Sequence, residues 1–168
     1  MKKRGYLGID ESNHGKYPEI FVAVYSDDIE DIKKTKLYKK RDHENIFSVL
    51  GERDFRYSLI PEEYTRILDK HYINLLVFSN FIKHCGDLEL VIIDGEIRSY
   101  DLKQIERMIY PFSNPRIKCE AKADIKYKIV NVADHIANLL YKHHVQDYNK
   151  KTNNNYTNNL LGPNIERF

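Results

Sequence analysis

Two apolar segments, each followed directly by acidic residues, constrain the fold of this chain more than any other feature. Residues 5–9 and 88–93 both have the character of buried strands, the first ending on Asp10 and Glu11 and the second on Asp94. A long helical pattern lies between them, so the two strands can be joined by a crossover and lie parallel as neighbours. Their carboxyl ends then meet at one edge of the sheet, where open α/β sheets bind ligands.

The rest of the chain supplies further strands and helices. Apolar runs at residues 20–25, 55–60 and 116–120 predict three more strands, and a short polar connection makes the first of these an antiparallel partner of residues 5–9. Apolar residues spaced three and four apart predict helices between Pro61 and Gly86, over 101–109 and over 129–140. The charged residues 26–54 give no readable element. This order predicts an α/β fold with a mixed central sheet and flanking helices.

Length and composition fit a single globular domain. A chain of 168 residues with 42% hydrophobic and 31% charged residues can bury a substantial core. We expect residues 1–148 to form the domain and the Asn-rich residues 149–168 to be a poorly ordered tail. Neither a membrane span of ~20 apolar residues nor a signal peptide is expected. Cys85 and Cys119 lack metal-ligand spacing, which favours reduced thiols in a cytoplasmic protein.

Positive charge is concentrated in residues 33–41, although the net charge of +2 is too small to indicate a nucleic-acid partner by itself. Such a run is usually a solvated face. If it borders the acidic residues, it becomes a strip that follows a phosphate backbone, with Tyr38 able to stack on a base. No glycine-rich phosphate loop is present in the sequence, so no nucleotide cofactor is expected.

The acids at the strand ends indicate a metal site. An Asp after a strand is usually a turn residue, and that interpretation suffices for Asp94 taken alone. Two acidic strand ends side by side are different, because like charges that close repel each other unless a cation bridges them. Oxygen ligands without Cys or His favour Mg²⁺ or Mn²⁺ over Zn²⁺.

Two later acids are candidates for the same site. Asp124 follows Lys122 and Ala123 just before the last amphipathic helix, where capping of that helix is the ordinary role. Asp134 lies within the helix at the edge of its apolar stripe, so its side chain is either solvated or directed into a cleft.

These motifs together resemble ribonuclease HII over residues 5–140. Asp94 and Asp124 are 30 residues apart, a separation similar to that of archaeal-type members. The motifs that carry the resemblance are Gly8-Ile9-Asp10-Glu11, Ile93-Asp94-Gly95, and Lys122-Ala123-Asp124-Ile125-Lys126-Tyr127 before a helix containing Ile136-Ala137.

The resemblance implies an RNase H-like fold and a metal-dependent endonuclease. Carried over residue by residue, the metal site is Asp10, Glu11, Asp94 and Asp124. It would hold two Mg²⁺ or Mn²⁺ ions, one activating water and one stabilising the leaving 3′-oxygen. The expected partner is nucleic acid, and the expected substrate is the RNA strand of an RNA–DNA hybrid. Lys122 or Lys126 could neutralise the scissile phosphate.

The segment after Glu11 departs from that family. Ribonuclease HII has a Gly-Arg-Gly segment there that reads the ribose 2′-hydroxyl, whereas this chain has Ser12, Asn13, His14 and Gly15. A counterpart of the family's Gly-Tyr-Pro segment is also missing from the sequence. We therefore expect residues 13–15 to contact substrate but to discriminate ribonucleotides weakly.

A second resemblance gives Asp134 a role. Asp10-Glu11-Ser12 and the helix residues 132–137 resemble a poorly characterised RNase H-like group with an Asp-Glu-Ser-Gly start and an Ala-Asp helix, in which the helix Asp is a site acid. Ten helical residues span about 15 Å, so Asp124 and Asp134 cannot share an ion unless Asp124 precedes the helix on a loop that folds back. We predict Asp124 as the fourth ligand, with Asp134 outside the ligand set or at the surface.

The alternative to an enzyme is a non-catalytic nucleic-acid-binding protein that retains the RNase H-like fold. The altered segment after Glu11 favours this alternative, and the presence of every site acid favours the nuclease. The two hypotheses differ in whether all four acids point into one cleft.

Overall fold

The computed structural model describes residues 4–12, 17–39 and 45–150, with side chains as far as residue 144. The described chain forms five strands and five helices, joined in part by 3₁₀ turns at Ile29–Ile32 and Ala123–Ile125. In chain order the elements are β1 (Gly5–Glu11), β2 (Glu19–Ser26), α1 (Ile46–Leu50), β3 (Asp54–Ile60), α2 (Glu62–Thr65), α3 (Lys70–His84), β4 (Leu88–Asp94), α4 (Ser99–Ile109), β5 (Arg116–Glu120) and α5 (Lys128–Lys150).

The strands form one mixed sheet in the order β3-β2-β1-β4-β5. β1 is antiparallel to β2 because the connection between them is short, and it is parallel to β4 because the helical crossover returns the chain to the same edge. The register pairs Ile9 with Ile93, so Asp10 and Asp94 are the next residues on adjacent strands. The predicted α/β fold with a mixed sheet is confirmed.

Helices cover both faces of the sheet. Side chains alternate between the two faces along β1, with Tyr6 packed in the layer of α5 and Leu7 and Ile9 packed in the layer of α3 and α4. Helix α5 approaches β1 closely at Gly8, where an added Cβ would lie 2.8 Å from carbon atoms of Ile129. A glycine is needed there because any side chain would push the helix off the strand.

The helical pattern after Pro61 is interrupted in the structure. The short helix α2 ends at Thr65, and α3 begins at Lys70, where the Asp69 carboxylate caps it by accepting from the His71 backbone N–H. The sequence pattern merged the two helices because their apolar residues keep a helical spacing across the break.

The described part of residues 26–54, which gave no readable element, contains a buried network of polar contacts. The Arg53 guanidinium donates to both carboxylate oxygens of the buried Asp31, at 2.6 and 2.7 Å, and the Ser26 hydroxyl also donates to Asp31. These contacts hold the 3₁₀ turn against β2 and β3. Hydrophobic periodicity could not predict them.

Helix α5 extends to Lys150, two residues past the predicted domain boundary at residue 148. Residues 151–168 of the predicted tail lie outside the described residues. Among the described residues, no helix is both long enough and apolar enough to cross a membrane.

Candidate metal centre

Three carboxylates from three separate elements converge at the carboxyl end of β1. They belong to Asp10 at the end of β1, Asp124 in the 3₁₀ turn before α5, and Asp134 in α5. One oxygen of each lies within 4.8 Å of those of the other two, a spacing that one ion could bridge. Asp10 and Asp124 are each only 5% exposed, so water does little to screen their mutual repulsion.

Asp124 and Asp134 meet because Asp124 does not belong to α5. The chain turns through Ala123–Ile125 before the helix starts at Lys128, and this turn folds back over the first turns of the helix. Asp134 therefore lies beside Asp124 and not apart from it, whereas its role as a ligand stays a prediction. The distance argument assumed that both residues were helical, and the structure has the folded-back exception instead.

Asp94 holds the Asp124 turn in position. It lies at the end of β4, and its Oδ1 accepts a hydrogen bond of 2.6 Å from the backbone N–H of Ala123. The Asn131 side chain supports the same turn from α5, because its Nδ2 donates to the Asp124 carbonyl at 2.9 Å. Asp94 therefore contributes negative charge and also positions the turn that carries Asp124.

Burial and mutual repulsion both raise pKa values in the cluster, and burial is the larger cause. Burial raises the pKa of Asp10 well above its ordinary value, and the charges of Asp94 and Asp134 raise it further. Burial also raises the pKa of Asp94 and of Asp134. Such a group of carboxylates is best compensated by a bound cation.

The basic segment borders this cluster. The backbone N–H groups of Thr35 and Leu37 donate to the carbonyls of Lys126 and Ile125, so residues 35–37 run alongside the Asp124 turn. The Lys39 ammonium then lies 2.9 Å from Asp124 Oδ2, while its side chain stays 56% exposed. The carboxylates of Asp124, Asp134 and Asp10 together raise the pKa of Lys39.

Sequence reasoning did not single out Lys39 or Asn131 as individual site residues. The cluster of basic residues at 33–41 carried the signal for Lys39, but sequence alone could not tell which lysine would reach the acids. None of the sequence motifs that carry the two resemblances includes Asn131.

Glu11 lies on the opposite face of the sheet from the cluster, because neighbouring residues of a strand point to opposite faces. The Lys70 ammonium at the start of α3 lies 3.9 Å from Glu11 Oε1 and 3.5 Å from Glu19 Oε1. Of the four acids predicted as one site, the structure therefore groups Asp10, Asp94 and Asp124 and separates Glu11.

The predicted phosphate-binding lysines are placed differently from expectation. The Lys126 ammonium donates to Glu120 Oε1 at 2.8 Å and to the Ala121 carbonyl at 3.0 Å. Glu120 also accepts from Lys34 and Tyr127, and these contacts hold the pKa of its carboxyl far below the usual range. Lys122 is exposed in a left-handed backbone conformation, with φ of 58°. Residues 13–15 lie outside the described residues.

A cavity of about 310 Å³ opens on the other side of the strand ends. Asp10, Glu11 and Asp94 lie at its edge. The walls come from the first turns of α3 and from the connection between β4 and α4. The metal centre and the cavity thus flank the same two strand ends.

Comparison with solved structures identifies the fold. The chain is similar to RNase HII in the PCNA:RNase HII complex from Archaeoglobus fulgidus, with a TM-score of 0.66, 18% identity, and coverage of 95% of this chain and 81% of that one. The fold is that of the ribonucleases HII and HIII. Ribonuclease H2 from Pyrococcus horikoshii OT3 gives a TM-score of 0.65 at 13% identity, covering 96% and 81%.

A third similar structure is Bst-RNase HIII in complex with Mn²⁺, with a TM-score of 0.62, 16% identity, and coverage of 89% of this chain and 55% of that one. No protein-family model matches the sequence, and no curated protein matches it. The resemblance read from the sequence motifs is thus confirmed at the level of the fold.

Proposed function

We propose that this protein is a metal-dependent nuclease of the ribonuclease H type that hydrolyses phosphodiester bonds. The observation that carries the proposal is the convergence of Asp10, Asp124 and Asp134 within 4.8 Å at the carboxyl end of β1. The fold shared with ribonucleases HII and HIII supports it independently. Several buried carboxylates together do not stabilise a protein core, because apolar residues at the same positions would avoid the cost of burying charge.

The donor set fits Mg²⁺ or Mn²⁺. Each of the converging side chains offers a carboxylate oxygen. Among the described residues, this group includes no His or Cys. Asp10, Asp124 and Asp134 would hold the ions, with Asp94 beside them. When bound, the ions would supply an activated water nucleophile and charge stabilisation for the leaving oxygen.

The chain's own residues orient the reacting groups. Asp94 fixes the turn that carries Asp124 through the Ala123 hydrogen bond, and Asn138 donates to Asp134 Oδ1 at 3.2 Å. Lys39 reaches the cluster from its exposed side and is the cation best located to meet a substrate phosphate. We propose this role for Lys39 in place of Lys122 or Lys126.

The substrate that we favour is the RNA strand of an RNA–DNA hybrid. The basic segment beside the Asp124 turn supports a nucleic-acid substrate, because residues 33–39 carry four lysines, residues 35–37 run alongside that turn, and Lys39 reaches Asp124. The resemblance to ribonuclease HII supports the hybrid. The lack of arginine in residues 13–15 supports weak discrimination of single ribonucleotides.

The test is a cleavage assay with Mg²⁺ and with Mn²⁺ on single-stranded RNA, RNA–DNA hybrid, an RNA–DNA junction and duplex DNA. We expect metal-dependent cleavage of the hybrid by the natural chain and none by Asp10→Asn. Binding of the hybrid without cleavage of any substrate would favour the non-catalytic alternative. Exclusive cleavage at a single embedded ribonucleotide would contradict the interpretation of residues 13–15.

A further inference from the structure

Three lysines from separate segments of the chain converge on one carboxylate at the end of β5. Their ammonium groups lie near the carboxylate oxygens of Glu120, at 3.0 Å for Lys34, 3.5 Å for Lys118 and 2.8 Å for Lys126. The Tyr127 hydroxyl also donates to Glu120, at 2.6 Å. Three positive charges thus surround one negative charge, so this lysine cluster carries an excess of positive charge.

The three lysines differ in how far they are committed to Glu120. Lys126 is 32% exposed and also donates to a backbone carbonyl at 3.0 Å, so it and Tyr127 form the inner part of the cluster. The side chains of Lys34 and Lys118 are 62% and 49% exposed. Lys118 also lies over the Tyr127 ring, 5.1 Å from its centroid, which directs the ammonium without neutralising it. The excess charge is therefore presented to solvent by the two outer lysines.

The lysine cluster lies one strand away from the metal centre. Glu120 pairs with Asp94 in the register of β5 and β4, and neighbouring strands are ~4.8 Å apart. Residues 34–39 connect the two places, because Lys34 reaches Glu120 at one end and Lys39 reaches the metal centre at the other. That segment spans at most about 17 Å when fully extended. A phosphate backbone that passes Lys39 can therefore continue to the lysine cluster.

We propose that Lys34 and Lys118 bind a second phosphate of the nucleic-acid substrate, separate from the phosphate that is cut. The two ammonium groups lie against different oxygens of one carboxylate, and a phosphate has enough oxygens to accept from both. One strand advances 3.4 Å per nucleotide, so this phosphate lies within about five nucleotides of the cut bond. Its position rests on the proposed nuclease function, whereas phosphate binding by the two lysines does not depend on catalysis.

The first experiment measures binding without cleavage. A labelled RNA–DNA hybrid is titrated with Asp10→Asn at several salt concentrations, and fluorescence anisotropy reports binding. Adding Lys34→Met and Lys118→Met to this parent should weaken binding about tenfold, the value of one charge-assisted hydrogen bond. It should also reduce the salt-dependence slope by about 1, because one phosphate contact is lost. Binding and slope equal to those of the parent overturn the proposal.

The matched control combines Lys33→Met with Lys103→Met in the same parent. It also removes two positive charges, one from the basic segment and one from α4 on the other face of the sheet. Lys33 is paired with Glu30 and not with Glu120. We expect the control to keep the slope of the parent. A loss as large as that in the Lys34 and Lys118 variant would mean that overall charge alone matters, which overturns the proposal.

Glu120→Gln separates phosphate binding from a purely structural role of the cluster. If the lysines only anchor residues 33–39 to β5, loss of the Glu120 carboxylate should weaken hybrid binding as much as loss of the lysines. If they bind phosphate, both ammonium groups remain in Glu120→Gln, and hybrid binding should be kept or become tighter. Equal weakening in Glu120→Gln and in the Lys34 and Lys118 variant therefore overturns the proposal.

The second experiment locates the phosphate. Single uncharged methylphosphonate linkages replace the phosphates of the hybrid in turn. We expect one linkage within about five nucleotides of the cut bond that weakens binding to Asp10→Asn but adds no further loss in the Lys34 and Lys118 variant. Equal further losses in both proteins at every linkage overturn the proposal. If the natural chain cuts nothing, the nuclease function fails, while the anisotropy measurements still decide the lysine site.

Discussion

Asp10 and Glu11 are adjacent in sequence, yet the two faces of the sheet give them opposite surroundings. Asp10 faces α5, where burial, and then the charges of neighbouring carboxylates, raise its pKa. Glu11 faces α3 and has the Lys70 ammonium 3.9 Å away. One acid thus needs a cation from outside the chain, whereas the other already has one nearby. The difference teaches that an Asp-Glu pair at a strand end can serve two sites.

The largest expected difference between the faces is in catalysis. Asp10→Asn removes a proposed ligand, and we expect it to lower metal-dependent cleavage of the hybrid more than about 100-fold. Glu11→Gln should lower it about tenfold or less, because the side chain acts from the other face. Initial rates at saturating Mg²⁺ measure both. Equal losses in the two variants would mean that Glu11 rotates into the metal centre when ions bind.

Stabilisation by metal should distinguish the acids on the α5 face from Glu11 on the α3 face. At an Mg²⁺ concentration 100 times its dissociation constant, mass action adds about 2.7 kcal/mol, which raises the melting temperature by about 5–10 °C. Asp124→Asn and Asp134→Asn should each lose most of this increase, and Glu11→Gln should keep it. Thermal scans with Mg²⁺ and with EDTA provide the measurement. Equal melting temperatures of the natural chain in Mg²⁺ and in EDTA would refute a preformed metal centre.

A smaller effect concerns the cation beside the α5 face. Lys39→Met removes the ammonium next to Asp124, and we expect it to weaken hybrid binding and to reduce the salt-dependence slope by about 1. Lys126→Met is the control, because its ammonium is bound to Glu120 and the Ala121 carbonyl. Fluorescence anisotropy in an Asp10→Asn background measures both without cleavage. A larger loss in Lys126→Met would restore the prediction made from sequence.

The smallest effect is on the pH dependence of stability without metal. Between the ordinary pKa of 3.8 and the raised pKa of folded Asp10, the folded chain binds more protons than the unfolded chain. The free energy of unfolding therefore falls as pH rises through that window. Asp10→Asn should weaken this dependence. Urea titrations in EDTA from pH 4 upwards test it, and parallel curves for the two proteins would contradict the assigned repulsion.

The sheet was predictable because its strands are apolar runs with acidic ends and the crossover rule fixes β1 beside β4. The break between α2 and α3 was not predictable, since periodicity continued through it. Within the site, the motifs selected Asp10, Asp94 and Asp124 but could not show that a 3₁₀ turn would bring Asp134 to them.

The remaining differences concern side-chain direction. Glu11 was assigned by motif, whereas strand alternation sends it to the other face. Lys126 was named with Lys122 as a candidate for the scissile phosphate, and the structure turns it toward Glu120. Lys39 meets Asp124 through a contact of high sequence separation, which single-sequence patterns do not encode, and Asn131 meets the Asp124 carbonyl because the turn before α5 folds back.

The hydrogen bond between Asp94 and Ala123 has a consequence for how the chain acquires its site. Asp10 enters with the first strand, whereas Asp134 enters with the last described helix. The turn that carries Asp124 follows β5, which pairs with β4. A growing polypeptide therefore cannot bring Asp134 beside Asp10 and Asp124 until α5 has been synthesised, so the carboxylate cluster is completed only after most of the described chain has been made.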